Sequence, residues 1–330
     1  MSEALDGIDP RTVWSRISSG LVPSRLLRLS ALDAVCGARV TLAAETSQTT
    51  GSFKYRAALS VAMHTDAPRL LAASSGNFGA ALAQAAARSG KGCTVVMPDR
   101  SAEVKIAAVR RHGATVDLID TRRITRDARV AELAREDPQA RVVSPFDDPY
   151  VICGNSTLGR EIFERLGPEL PEVIVAPVGG GGLTSGLVVA ARLLRPQCAI
   201  IAAEPAMAND AARSLRAGVL IANDEEPDTV CDGARTRSLG KRNFAILSDG
   251  LAAVVEVAED TVAHAMRLLA TEADIRAEPT GALGLAAILT EPQRFRDREV
   301  VCVVSGGNVD AGVYERLTGQ TMGPPAITAQ

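Results

Sequence analysis

The chain has 330 residues, 46% of them apolar and 3% aromatic, with a formal net charge of -3. That length suits about two domains of ~100–200 residues each, and the near-balanced charge argues against nucleic-acid or anionic-membrane partners. No apolar run approaches the ~20 residues of a membrane span, the polar first ten residues do not read as a secretory signal, and six single cysteines without a CxxC pattern point to reduced thiols in the cytoplasm rather than a Cys/His metal site.

The first 30 residues read as a helical entry: a helix over 11–18, a break at Pro23, then Leu26-Leu27-Arg28-Leu29. Val40-Thr41-Leu42-Ala43-Ala44 is a strand ending at Glu45. Leu70-Leu71-Ala72-Ala73 is a strand that precedes Ser74-Ser75-Gly76-Asn77-Phe78-Gly79 and an alanine-rich helix to Ser89. Cys93-Thr94-Val95-Val96-Met97, a helix over 102–112, a strand over 115–119 and a charged helix over 126–136 continue the series. Asp147-Asp148-Pro149-Tyr150 reads as a boundary loop before a helix over 158–166. Val173-Ile174-Val175-Ala176-Pro177-Val178 is a buried strand running into Gly179-Gly180-Gly181-Gly182, with a helix over 183–194 and a strand over 199–203 behind it. Residues 223–243 are polar and irregular. A strand over 254–257, helices over 261–273 and 282–289, and a strand over 300–304 ending in Ser305-Gly306-Gly307-Asn308 complete the pattern, and residues 319–330 are expected to be disordered. Strands alternating with helices imply βαβ units and parallel sheet.

Lysine occurs only at Lys54, Lys91, Lys105 and Lys241, so arginine supplies nearly all positive charge. Lys91, Lys105 and Lys241 read as solvated. Lys54 follows the polar turn Thr49-Thr50-Gly51-Ser52-Phe53 and opens an apolar helical run. A positive helix end disfavours the charged amine, and a partly neutral lysine forms a Schiff base with a carbonyl. The other reading of Lys54 is an ordinary lysine at a helix start.

Ligands of open α/β sheets bind at the carboxyl ends of strands. Residues 74–79, 179–182 and 305–308 fall at such ends. Consecutive glycines before a helix let backbone N–H groups close on a phosphate; the other reading is a tight strand-to-helix turn. No Gly-Lys-Ser/Thr follows, and the third glycine of a dinucleotide fingerprint is missing. A phosphate site beside an activated lysine points to a phosphorylated aldehyde, pyridoxal 5'-phosphate (PLP).

Thr50-Gly51-Ser52-Phe53-Lys54, Ser74-Ser75-Gly76-Asn77, Pro177-Val178-Gly179-Gly180-Gly181-Gly182-Leu183 and Ser305-Gly306-Gly307-Asn308 resemble, in this order, the fold type II PLP enzymes of the serine/threonine dehydratase and serine racemase group. Glu204-Pro205, Asp232-Gly233-Ala234-Arg235 and Glu278-Pro279-Thr280-Gly281-Ala282 resemble further segments of that group, so the match covers about residues 20–318. The resemblance implies an α/β fold like that of the tryptophan synthase β chain, with two lobes, each a mostly parallel sheet flanked by helices. Residues 1–55 and 146–330 would form a large cofactor-binding domain, and 56–145 a small mobile one. It implies catalysis by Lys54 and Ser75. Phe53, Lys54, Asn77, Gly179, Gly180, Gly181, Gly182, Leu183 and Ser305 would hold the cofactor. Ser74, Ser75, Gly76, Asn77 and Phe78 would hold the substrate. Glu204, Asp210 and the Ala208 carbonyl resemble the group's cation site, whose oxygen ligands suit Mg²⁺ or Ca²⁺; the other reading is a strand-end carboxylate and a helix cap.

The implied activity is that of a lyase: release of water and ammonia from a β-hydroxy or other β-substituted amino acid such as threonine or serine, giving a 2-oxo acid. β-Replacement and racemisation are the alternatives, and the retained Lys54 speaks against a non-catalytic PLP-binding protein. A cytoplasmic homodimer is expected. Two departures from the group stand out. Its usual histidine after the loop asparagine is Phe78, and Gly154-Asn155-Ser156-Thr157 replaces Gly-Gln-Gly-Thr. Both are expected near the active site and point to a side chain larger or less polar than that of serine. No regulatory domain follows the Ser-Gly-Gly-Asn loop, so allosteric control by an amino acid is not expected.

Overall fold

The computed structural model describes residues 2–167 and 171–321. Most of the stretch expected to be disordered, 322–330, lies outside the described residues.

After helix α1 (Pro10–Ile17), strand β1 (Arg25–Arg28) runs antiparallel to β2 (Arg39–Ala44), with α2 (Ser30–Cys36) between them. Residues 26–29, expected to be helical, are thus largely an edge strand. Four residues are too few for periodicity to separate the two states. α3 (Lys54–Met63) leads to β3 (Arg69–Ala73), α4 (Asn77–Arg88), β4 (Gly92–Pro98), α5 (Glu103–Arg110), β5 (Thr115–Ile119), α6 (Arg126–Glu136) and β6 (Ala140–Val142). These four strands form one parallel sheet in the order β5-β4-β3-β6.

α7 (Pro149–Leu166) follows. It starts nine residues earlier than 158, the start expected from the sequence, because Asp148 is its N-cap and Pro149 its first residue. The Asp148 carboxylate accepts from the amides of Tyr150 at 2.8 Å and Val151 at 3.4 Å. β7 (Val173–Pro177), α8 (Gly182–Leu194), β8 (Ala199–Pro205), α9 (Asp210–Ala217), α10 (Lys241–Leu247), β9 (Ala253–Val257), α11 (Glu259–Ala273), α12 (Pro279–Thr290), α13 (Pro292–Phe295), β10 (Glu299–Val304) and α14 (Ala311–Thr318) complete the described chain. The second sheet has the order β1-β2-β10-β7-β8-β9, parallel except at β1.

Both faces of the larger sheet are covered. Ile174 and Ala176 of β7 pack with α3, α7 and α8, while Val173 and Val175 face α2, α11 and α12. A strand buried on both sides reads as a continuous apolar run, which is why β7 was visible in the sequence.

A buried polar cluster ties the start of α3 to α7. Arg56 meets Glu45 at 2.7 Å and Glu161 at 2.8 Å, and also bonds Ser24 and Thr157. Ser156 accepts from the Trp14 indole at 2.7 Å. Asn155, Ser156 and Thr157 are therefore interior residues of α7, and Ser156 and Thr157 bond partners in the packing. The Asn155 carboxamide, by contrast, is buried with no partner among the described residues.

Candidate active site

Two sequence-distant loops run together at the carboxyl ends of β2 and β10. Phe53 N donates to Ser305 O at 3.0 Å, Gly307 N donates to Gly51 O at 2.9 Å, and Ser52 bridges Gly306. Gly51 has a φ of 74°, and a side chain there would also collide with Asn308. The turn before Lys54 is thus built against the Ser305–Asn308 loop.

Lys54 is the first residue of α3. Its Nζ donates to Pro145 O, beyond β6, at 2.9 Å. It lies 5.0 Å from the Phe53 ring centre and 5.8 Å from that of Phe78. Burial lowers its pKa from 10.5 to about 8, against the opposing charge of Glu278. The leading cause is desolvation by burial, and the amine also stands at the helix start expected from the sequence.

The four glycines join β7 to α8. A Cβ on Gly179 would stand 2.9 Å from Gly233 O, and one on Gly182 would stand 2.9 Å from Phe146 O. A Cβ on Gly180 would run into the Phe146 ring, and Gly181 has a φ of 94°. No side chain caps α8, so its first-turn amides, Leu183 among them, remain for an anion. Asn243 Nδ2 fixes the loop, donating to Gly180 O at 2.8 Å and Phe146 O at 2.9 Å.

Asn77 is the first residue of α4. Its Nδ2 donates to Glu278 Oε1 at 2.9 Å and Oε2 at 3.0 Å, and its Oδ1 accepts from Asn308 at 2.8 Å. Ser74 Oγ accepts from Gly79 N at 3.1 Å, and Phe78 is buried against the Lys54 amine. Ser74 and Phe78 therefore face inward. Ser75 lines a cavity of about 620 Å³, together with Arg100, Lys105, Arg126, Glu226 and Arg235.

Glu278 lies in the Glu278-Pro279-Thr280-Gly281-Ala282 segment that resembles the group, but neither it nor Lys105 was expected among the site residues. Glu278 directly precedes the proline that opens α12. Burial and then the charge of Asp232 raise its pKa from 4.5 to about 7. Lys105, read as solvated, pairs with Asp232 at 2.8 Å.

The proposed cation ligands lie at the end of β8 and the start of α9. Glu204 accepts from Ala211 N at 3.2 Å and Ala212 N at 2.7 Å. Asp210 Oδ1 accepts from Asn223 at 3.0 Å, and its buried Oδ2 has no partner among the described residues. Burial raises Glu204 to about 8 and Asp210 to about 6. No group of three or more His, Cys, Asp or Glu side chains gathers as for a metal among the described residues. A cation here would depend on backbone oxygens such as that of buried Ala208.

The family model described as "Pyridoxal-phosphate dependent enzyme" matches residues 17–306. The chain belongs to the PLP-dependent enzyme family. It is 36% identical over 291 residues to the L-threo-3-hydroxyaspartate ammonia-lyase of Pseudomonas sp, covering 87% of this chain and 90% of that protein. It is 34% identical to the serine racemase of Dictyostelium discoideum, covering 94% and 96% of the two chains. The crystal structure of the T.th. threonine deaminase superposes with a TM-score of 0.87 at 39% identity, covering 91% of this chain and 97% of that one.

As a fold type II PLP enzyme the chain must hold a phosphate, a pyridine ring and a covalently attached aldehyde carbon, and its residues fit all three. The uncapped α8 start suits the phosphate. The Ser305 hydroxyl is buried with no partner among the described residues, which leaves it for a ring nitrogen. The Lys54 amine has a pKa of about 8, low enough for a useful fraction to be uncharged near neutrality.

Proposed function

We propose that this PLP enzyme is an ammonia-lyase whose substrate is a β-hydroxy amino acid with a second carboxylate, 3-hydroxyaspartate. Two relatives with L-threo-3-hydroxyaspartate ammonia-lyase in their names, from Pseudomonas sp and Saccharomyces cerevisiae, support this substrate. The observation that carries it is the cavity beyond Ser75. Arg100, Arg126 and Arg235 line it, against the single acidic lining residue Glu226, while the Lys105 charge at its edge is paired with Asp232. Ala102 and Thr125, the N-caps of α5 and α6, line it as well. Helix N-termini and guanidinium groups both favour an anion.

PLP, when bound, withdraws electrons from the substrate's Cα and so weakens the Cα–H bond. Gly179 to Gly182 and the Leu183 amide would hold its phosphate, Phe53 would pack beside the ring, Asn77 would orient it, and Lys54 would attach it. The Lys54 amine would also be the base that takes the Cα proton. The β-hydroxyl leaves with a proton as water. Water then enters and ammonia leaves, giving oxaloacetate with no net change in water. Ser305 is neutral, so it would give the ring nitrogen no acidic partner, which would favour loss of the β group. Ser75, which lines the same cavity, would serve as the second acid/base in the racemase alternative.

Residues 56–145 form the small mobile lobe and 1–55 with 146–330 the large one in this account. Closure excludes water from the reacting carbon. Glu204, Asp210 and the Ala208 carbonyl are the groups that would hold Mg²⁺ or Ca²⁺. The enzyme acts as a homodimer in the cytoplasm; its six cysteines are all buried free thiols, and no described helix is long and apolar enough to cross a membrane. The test is turnover in heavy water with chiral analysis. Ammonia and 2-oxo acid, with little deuterated mirror-image substrate, support a lyase. Deuterated enantiomer as the main product would make the enzyme a racemase.

A further inference from the structure

Resting on the dicarboxylate substrate, we propose that the Lys105–Asp232 ion pair decides which side-chain charge the site accepts: Lys105 cancels Asp232 and thereby admits a second carboxylate beside it.

Lys105 lies on α5, beside the smaller sheet, and Asp232 opens a short turn beside the larger one. Their 2.8 Å contact spans the gap between the sheets. Lys105 also lines the cavity that starts at Ser75. The backbone beside Asp232 is anchored and lies close to the phosphate loop. Gly233 N donates to Thr280 Oγ1 at 3.0 Å, and Gly233 O would stand 2.9 Å from a Cβ on Gly179. Asp232 is therefore placed between the phosphate loop and the Lys105 side of the cavity.

The pair is a poor candidate for holding the fold together. Its side chains are 40% and 42% exposed, and exposed pairs add little stability. Both charges are nevertheless felt inside the site, since Asp232 raises the pKa of buried Glu278 and Lys105 lowers it. Without Lys105, Asp232 would present an uncancelled negative charge to an incoming carboxylate. Like charges placed together oppose binding strongly. A neutral side chain such as that of threonine carries no such penalty.

The experiment uses holoenzyme of the parent, Lys105→Met, Asp232→Asn and the double variant. It measures kcat/KM for 3-hydroxyaspartate and threonine, and the calorimetric Kd for malonate as an unreactive dicarboxylate. Lys105→Met should lower the hydroxyaspartate-to-threonine ratio about tenfold or more, through KM, and weaken malonate to a similar extent. Adding Asp232→Asn should restore both to within about threefold of the parent. Failure of the double variant to recover would mean that Lys105 touches the substrate itself, which overturns the proposal. An equal fall for both substrates would make the pair a structural latch, which also overturns it. A parent that prefers threonine overturns the substrate assignment instead, and the malonate ordering of the four proteins still judges the pair.

Discussion

Asn77 and Glu278 meet across the gap between the two sheets, with the Asn77 amide nitrogen 2.9 and 3.0 Å from the two carboxylate oxygens. Asn77 is the residue proposed to orient the cofactor ring, so the state of Glu278 would reach the chemistry through it. The Glu278 pKa of about 7 lies above the ordinary 4.5, so the folded protein holds this proton more tightly than the unfolded chain. The stability it contributes is complete below about pH 4.5 and is lost as the pH rises through about 7. Cofactor-free Glu278→Gln should therefore be more stable than the parent at pH 8, by a limit on the order of 3 kcal/mol, with the gap closing at pH 5. Urea unfolding at the two pH values measures it. A gap independent of pH would mean that Glu278 does not titrate in this range.

Phe78 stands where related enzymes were expected to have histidine, and its ring centre lies 5.8 Å from the Lys54 amine. Burial is the leading cause of the lowered lysine pKa. Phe78→Ser should let water reach the amine and move its pKa from about 8 back toward 10.5. The pH dependence of Lys54 acylation in the cofactor-free protein reports this. An unmoved profile would show that Phe78 does not keep the amine dry.

The glycine loop has little room on either side. In Gly179→Ala the new Cβ would stand 2.9 Å from Gly233 O and 3.0 Å from the Ala234 Cα. Both neighbours are backbone atoms, so the loop must shift. We expect PLP affinity to fall by about 10- to 100-fold with the fold retained. Equilibrium dialysis with circular dichroism checks both halves of that statement, and parent-like affinity would mean that the loop does not grip the phosphate.

Arg56 is buried with Glu45 and bonded to Glu161, Ser24 and Thr157. Arg56→Met leaves the Glu45 carboxylate buried and unpaired, which should destabilise the protein by about 3–5 kcal/mol. Adding Glu45→Met should recover much of the loss. Denaturant unfolding of both proteins decides it, and a loss that persists in the double variant would place the role of Arg56 in its other contacts.

What the sequence revealed follows from which signals are local. β7 and the glycine loop were legible because a strand buried on both faces is an unbroken apolar run and four glycines interrupt it sharply. Lys54 stood out because arginine carries nearly all other positive charge. The start of α7 was missed because Asp148-Pro149 reads equally well as a turn and as a cap followed by a helix-opening proline. The interior roles of Asn155, Ser156 and Thr157 were hidden with it. The site roles of Glu278 and Lys105 were missed for a different reason, although Glu278 lies in a segment that resembles the group. Their partners, Asn77 and Asp232, are far away in sequence, and no periodicity marks a contact between two sheets.

The most direct test of the whole account is a competition. Holoenzyme is given 3-hydroxyaspartate and threonine together at equal concentration, and oxaloacetate, 2-oxobutyrate and ammonia are followed over the first few per cent of turnover. The product ratio then equals the ratio of kcat/KM. The cation-lined cavity predicts ammonia release with oxaloacetate ahead of 2-oxobutyrate by more than about tenfold. An excess of 2-oxobutyrate, or no ammonia from either substrate, would contradict it.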